Sequence, residues 1–235
     1  MRKNSNDIEW ETRQDKRLND ALMNDNLYRS LILKKDKPVQ ILSLPAAKWI
    51  WETSLSQAFE DIKFSFLGIE ENPPVHKQMK LNAEYNNKIY AKKCRFQTTP
   101  SPFSLLHYFK MSKTSFDIIY LDWMGTWSQE KKEQVSLIFK KDLIRPRGFF
   151  IFTLMYGRGY SETNKELEKY SRMHQGFDFE YDSKQKKSYI SKTRGVVNLI
   201  QSIAEKYDHK VECTYMNDYP SLRCSELSFV LKVIA

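Results

Sequence analysis

Cysteine, glycine and long apolar runs are all scarce in this chain. The three cysteines among 235 residues, Cys94, Cys213 and Cys224, form no Cys-x-x-Cys pair and leave an odd one over. That pattern suits neither a disulfide framework nor a zinc site, and a reducing compartment is expected. The four histidines, His76, His107, His174 and His209, are scattered without ligand spacing, so no metal site is expected. No segment approaches the apolar length of a membrane span. The opening Met1-Arg2-Lys3-Asn4-Ser5 lacks the apolar core of a signal peptide. A soluble, cytoplasmic protein without membrane contact follows as the expectation. None of the seven glycines builds a phosphate-cradling Gly-rich loop, which disfavours an unrelated nucleotide-dependent enzyme.

What is present is apolar and basic. Hydrophobic residues make up 41% and aromatics 14%, enough to bury a substantial core and offset chain entropy without covalent staples. The formal charge of +9 favours a polyanionic partner, because clustered Lys and Arg displace counterions from phosphates. An abundance of Lys, Asn, Ile and Tyr would also follow from AT-rich coding, so nucleic acid rests on charge only as a soft expectation. Nothing in the sequence fixes the oligomeric state.

The apolar pattern predicts one α/β domain from residue 37 to 235, preceded over 1 to 36 by an amphipathic brace or lid with Leu18, Leu22, Leu27 and Leu31. Short apolar runs alternate with helical segments, the mark of buried parallel strands. The expected strands are Val39 to Leu44, Phe64 to Ile69, Ile89 to Phe96, Phe116 to Leu121 and Phe149 to Leu154. The expected helices between them are Lys48 to Phe59, Val75 to Tyr85, Phe103 to Met111 and one from an N-cap at Ser128 to about Leu143. Pro146-Arg147-Gly148 reads as the turn before the fifth strand. A polar insertion over about 157 to 187, with a helix around Glu162 to Met173, precedes a helix from Tyr189 to Tyr207. Two late strands, His209 to Tyr215 and Leu227 to Ile234, separated by a connection holding Pro220, imply an antiparallel terminal hairpin.

Five strand–helix units, then a helix and a hairpin, resemble the element order of the class I S-adenosylmethionine-dependent methyltransferases. The likeness spans roughly Lys37 to Ala235 and rests on order and strand-end residues. It implies a Rossmann-like, mainly parallel seven-stranded sheet, S-adenosylmethionine as cofactor, and a ligand crevice beyond the carboxyl ends of the strands. Glu70, with Glu71 as the alternative, stands where the family's cofactor-ribose carboxylate lies; a helix-cap role is the plainer reading. Asp122 stands where the family's transferable methyl is approached, and Leu121-Asp122-Trp123-Met124-Gly125 is similar to an Asp-Pro-Phe-Gly variant of some RNA methyltransferases, without the proline. By that resemblance Asp122 is the candidate catalytic residue and also a candidate cofactor contact, with a structural carboxylate as the alternative. The first-strand loop, Ser43-Leu44-Pro45-Ala46-Ala47-Lys48-Trp49, has no glycine where the family carries several; Ser43, Leu44 and small Ala46 are its candidate cofactor contacts.

Gln97 or Thr98 matches the family's adenine contact at the third-strand exit. Trp123 or Trp127 is a candidate base-stacking ring, or else core. The basic stretch from Tyr181 to Arg194, including Lys187 and Arg194, offers phosphate contacts or is simply solvated. The resemblance therefore implies a methyltransferase acting on nucleic acid, RNA in the first place. The alternative is a methyltransferase-like subunit that no longer catalyses and serves as a scaffold for nucleic acid or a partner enzyme.

Overall fold

The computed structural model describes residues 37–45, 47–123, 125–156, 187–220 and 225–234, together with Ala21, Asn24, Leu27, Leu31, Leu167 and 169–171. Twelve elements alternate along them: β1 (Val39–Ser43), α1 (Ile50–Ala58), β2 (Phe64–Gly68), α2 (Pro73–Ile89), β3 (Cys94–Thr98), α3 (Leu105–Met111), β4 (Phe116–Asp122), α4 (Gln129–Lys140), β5 (Ile144–Tyr156), α5 (Lys187–Glu205), β6 (Lys210–Pro220) and β7 (Ser225–Ile234). The strands form one seven-stranded sheet in the order β3-β2-β1-β4-β5-β7-β6. Strands β1 to β5 pair in parallel, and β7 pairs antiparallel with both β5 and β6. The expected parallel sheet with a terminal antiparallel hairpin is therefore the architecture found.

Strand periodicity splits the core into two faces. Val39, Ile41, Phe64, Phe66, Ile118, Tyr120, Phe149, Ile151 and Val230 pack beneath α1 and α2 with Leu27 and Leu31. Leu42, Ile119, Leu121, Phe150, Phe152, Phe229 and Leu231 pack under α3, α4 and α5 on the other side. The apolar residues expected on α5, namely Val196, Val197, Leu199, Ile200 and Ile203, are all buried in that second layer. Gly195 lets α5 approach closely, since a Cβ there would sit 2.2 Å from the Leu167 carbonyl oxygen.

Several boundaries differ from expectation for local reasons. Helix α2 runs past its expected end at Tyr85 to Ile89, so β3 begins at Cys94 and not at Ile89. Pro146-Arg147-Gly148 is a bulge inside β5 and not a turn before it: between paired residues β4 advances from Phe116 to Ile118 while β5 advances from Ile144 to Phe149. Arg147 takes φ 62°, and Asp117, buried in β4, binds both the Arg145 guanidinium (2.8 Å) and the Gln40 amide (2.9 Å) beside the bulge. Pro220 ends β6 instead of interrupting the link. The outer edge of β3 is capped by the Asn87 side chain, whose amide accepts from Phe96 N at 2.7 Å and donates to Phe96 O at 2.8 Å. A lone exposed edge would otherwise invite strand addition. The brace over 1 to 36 and the insertion over about 157 to 187 lie almost wholly outside the described residues; Leu27, Leu31 and Leu167 are buried.

Candidate functional site

The strand order reverses direction between β1 and β4, and an open α/β sheet leaves its ligand crevice at that point, beyond the carboxyl ends of the strands. Gly68, Ser43 and Tyr120 stand level there: Ser43 pairs with Gly68 on one side and with Tyr120 on the other. Glu70 and Asp122 each lie two residues beyond that level, on the strands that flank β1. Two strand spacings put their backbones roughly 10 Å apart across the mouth. Ser43 lies between them, fully buried, and its Oγ has no hydrogen-bond partner among the described residues. A buried hydroxyl without a partner costs free energy.

Glu70 is half-buried. Its Oε1 accepts from Asn72 N at 2.8 Å, and its carbonyl accepts from Phe103 N at 3.1 Å, which ties the β3–α3 loop to the mouth. Burial pushes the Glu70 carboxyl above its usual range, opposed by the backbone N–H groups of Asn72 and Glu71. Asn72 in turn caps α2, accepting from Val75 N at 3.5 Å, so the N-cap role falls to Asn72. Glu71 is exposed.

Asp122 ends β4 on the same face as Ser43. Its Oδ1 accepts the hydroxyl of Thr153, its cross-strand partner on β5, and Thr153 pairs onward with Ser228 of β7. Thr153 and Ser228 are buried, making a polar row across an otherwise apolar layer. Thr153 was not singled out by its sequence; the signal was a lone hydroxyl inside Phe149-Phe150-Ile151-Phe152-Thr153-Leu154.

Beyond Asp122 the chain turns back through Gly125, at φ 88°, into α4. Ser128 is the expected N-cap, accepting from Lys131 N at 3.3 Å. Lys131 stands where a capping box has Glu or Gln, and its ammonium closes the loop by donating to Gly125 O at 3.0 Å and Thr126 O at 2.5 Å. Burial pulls that ammonium down to about 8, partly opposed by Glu130.

The first-strand loop is built differently from a glycine-rich one. Leu44 N donates to Tyr120 O at 3.3 Å, Pro45 has no N–H, and Trp49 N donates to Pro45 O at 3.2 Å, so these three positions offer a ligand no backbone donor. Trp49 caps α1 from the left-handed region at φ 58°. Its ring is fully buried, with Nε1 donating to Met79 O at 3.0 Å. Ala46 lies outside the described residues.

At the third-strand exit Gln97 is exposed and Thr98 half-buried. Beside them His76 Nε2 lies 3.0 Å from Thr99 O, fastening α2 to β3. The Phe103 ring stacks on His107 with centroids 5.0 Å apart. Trp123 and Trp127 are 6% and 5% exposed and pack edge to face in the core at 6.1 Å, so neither presents a ring face for stacking. Trp123 Nε1 is committed to Gln134 Oε1 at 2.9 Å. Lys187 and Arg194 are carried on α5, on the α3/α4 side of the sheet and not on the face of Ser43 and Asp122. Arg194 is half-buried, with its Nε lacking a partner among the described residues. The described residues hold no cluster of metal-ligating side chains and no helix long and apolar enough to cross a membrane.

No protein-family model and no curated protein matches the chain. Solved structures do match. P. horikoshii TYW2 in complex with MeSAdo superposes with TM-score 0.50 at 9% identity, over 84% of this chain and 57% of that one. A second Pyrococcus horikoshii protein, assigned as a transferase, gives TM-score 0.50 at 9% identity over 89% and 63%. A Haemophilus influenzae protein assigned as a methylase gives 0.48 at 10% identity over 92% and 99%. The chain thus spans about three fifths of the length of the first two. At such identities the likeness concerns the fold, and the fold is the Rossmann-like one of the class I methyltransferases.

Proposed function

We propose that this chain, which carries the Rossmann-like methyltransferase fold, binds S-adenosylmethionine at the mouth between β2, β1 and β4 and transfers its methyl group to a nucleic acid, RNA in the first place. The observation that carries the reading is the placement of Glu70 and Asp122 at one level on either side of β1, with the unpartnered Ser43 hydroxyl buried between them. Glu70 suits the two ribose hydroxyls, because a carboxylate accepts from both and its Oε2 is not taken by Asn72. Ser43 and the third-strand exit at Gln97 and Thr98 complete the cradle. When bound, the cofactor supplies an electrophilic methyl on a sulfonium. Asp122, fixed by Thr153, orients the acceptor group and takes its proton, so the protein contributes position and charge more than covalent chemistry.

A second reading is favoured by one feature. Pro45 and Trp49 close the first-strand loop over Gly68, leaving little backbone to hold the amino-acid end of the cofactor. On that ground the chain is a binding subunit or scaffold with a methyltransferase fold. Isothermal titration with S-adenosylmethionine and with its demethylated product separates the two. Binding that disappears in Glu70→Ala and survives in Asp122→Ala supports the enzyme; no binding at high micromolar cofactor supports the scaffold.

A further inference from the structure

Helix α2 buries one face and leaves a second apolar stripe in water. Met79 and Ala83 face the core. On the opposite side Leu81, Tyr85 and Ile89 are 51%, 64% and 55% exposed. At 3.6 residues per turn, Lys77, Leu81, Tyr85 and Lys88 fall within an arc of about 80°. Lys80 flanks them, and Lys92 adds a positive charge just beyond the end of the helix; all four lysines are exposed. None of them makes an ion pair or hydrogen bond among the described residues, and Glu84 is the single carboxylate on the helix.

We infer that the outer face of α2 is a platform for a single-stranded stretch of RNA. Charge decides the occupant. An apolar docking site for another protein is depleted of lysine, whereas four lysines along the helix and its end, unpaired among the described residues, together with an exposed tyrosine match a phosphate backbone with bases that stack on the ring. The platform also leads to the mouth: α2 starts directly after Glu70, Glu71 and Asn72, and Lys77 to Lys88 spans about 17 Å, the rise of about five stacked nucleotides. That the strand is the methyl acceptor rests on the function proposed above; the platform itself is tested without cofactor.

The test is fluorescence anisotropy of the full chain with a short fluorescein-labelled single-stranded RNA, with salt varied from about 50 to 200 mM. Lys77→Gln with Lys88→Gln is expected to lower the slope of log affinity against log salt by about 1.4, two phosphate contacts' worth for a single strand. Tyr85→Ala is expected to weaken binding roughly tenfold, and a duplex of the same sequence to bind less well. All three side chains are exposed, so the variants should keep their fold, which circular dichroism checks; Lys140→Gln on α4 sets the background. An unchanged slope with neutral Tyr85→Ala overturns the platform, as does a concentration-dependent dimer abolished by Tyr85→Ala while RNA binding persists. RNA binding that depends on Lys77 and Tyr85 without any cofactor binding keeps the platform and removes the enzyme. Cofactor binding without RNA binding does the reverse.

Discussion

Thr153 on β5 donates its hydroxyl hydrogen to Oδ1 of Asp122 on β4, joining two residues 31 positions apart in sequence that pair directly across the sheet. The carboxylate at the end of β4 is therefore held by its neighbour strand. Thr153 is 1% exposed, so its hydroxyl has no water to turn to. Thr153→Val keeps the shape and removes the donor. The expected cost is about 2 kcal/mol, the scale of a hydrogen bond to a charged group, with Thr153→Ser recovering most of it. Urea unfolding of the three proteins measures this. Where methyl transfer is detected, Thr153→Val should lower kcat while leaving cofactor affinity unchanged, because the hydroxyl positions Asp122 and touches no ribose.

Burial favours the protonated form of Glu70. Its folded pKa is raised above the ordinary 4.5 by burial, so the folded state holds its proton to higher pH than the unfolded chain. The stability this group contributes is complete below 4.5 and is lost as pH rises through the folded value. Glu70→Gln keeps an oxygen for Asn72 N and never ionises. It should raise the urea midpoint at neutral pH, with the gain vanishing below the ordinary carboxylate range, and should abolish cofactor binding in calorimetry. A variant more stable at neutral pH yet unable to bind is the expected sign of a site residue. Equal stability at all pH would remove the burial argument.

Lys131 shifts in the opposite sense. Its folded pKa of about 8 lies below the ordinary 10.5, so between those values the unfolded chain binds more protons than the folded one. The sign of the linkage makes stability rise with pH in that window and fall as pH drops through about 8. The difference in unfolding free energy between the native protein and Lys131→Met isolates this group from the other lysines and tyrosines. That difference should grow in favour of the native protein from about 8 to 10.5. A flat difference would mean that the ammonium is not desolvated by the loop it closes.

The fold was legible because its signals are local and repeated. Phe116-Asp117-Ile118-Ile119-Tyr120-Leu121 reads as a buried strand at sight, and the run of alternating strands and helices admits few topologies. The positions of Glu70 and Asp122 at strand ends followed from the same pattern. Ile89 misled because an apolar residue ahead of Tyr90 looks like a strand start, while it is the exposed last residue of α2. Trp123 and Trp127 admit both readings in sequence, because an aromatic after a strand reads the same way whether it caps a core or faces a base; only the packing, Trp123 against Phe150 and Phe152 and Trp127 against Trp123, distinguishes them. Thr153 and Lys131 act through contacts set by sheet register and loop closure, which no single segment encodes.

The first-strand loop has no glycine, and the close approach that glycine permits occurs one strand over, at Gly68. A Cβ on Gly68 would lie 2.6 Å from Trp49 Cη2 and 2.7 Å from Pro45 Cγ, nearer than real Cβ atoms come. Neither neighbour yields readily. The Trp49 indole is pinned by its bond to Met79 O and by the Phe96 ring, 5.4 Å away edge to face, and the Pro45 ring is fixed by its own backbone. Gly68→Ala should therefore cost about 1–3 kcal/mol through overpacking. Trp49→Leu should cost more by itself, since it leaves a cavity, but in that background Gly68→Ala should be nearly neutral. A double-mutant cycle by urea unfolding reads the coupling, expected at about 1–3 kcal/mol for residues in direct contact. Additive costs would show that the glycine serves the strand and not the tryptophan, and would reopen the question of what the loop leaves room for.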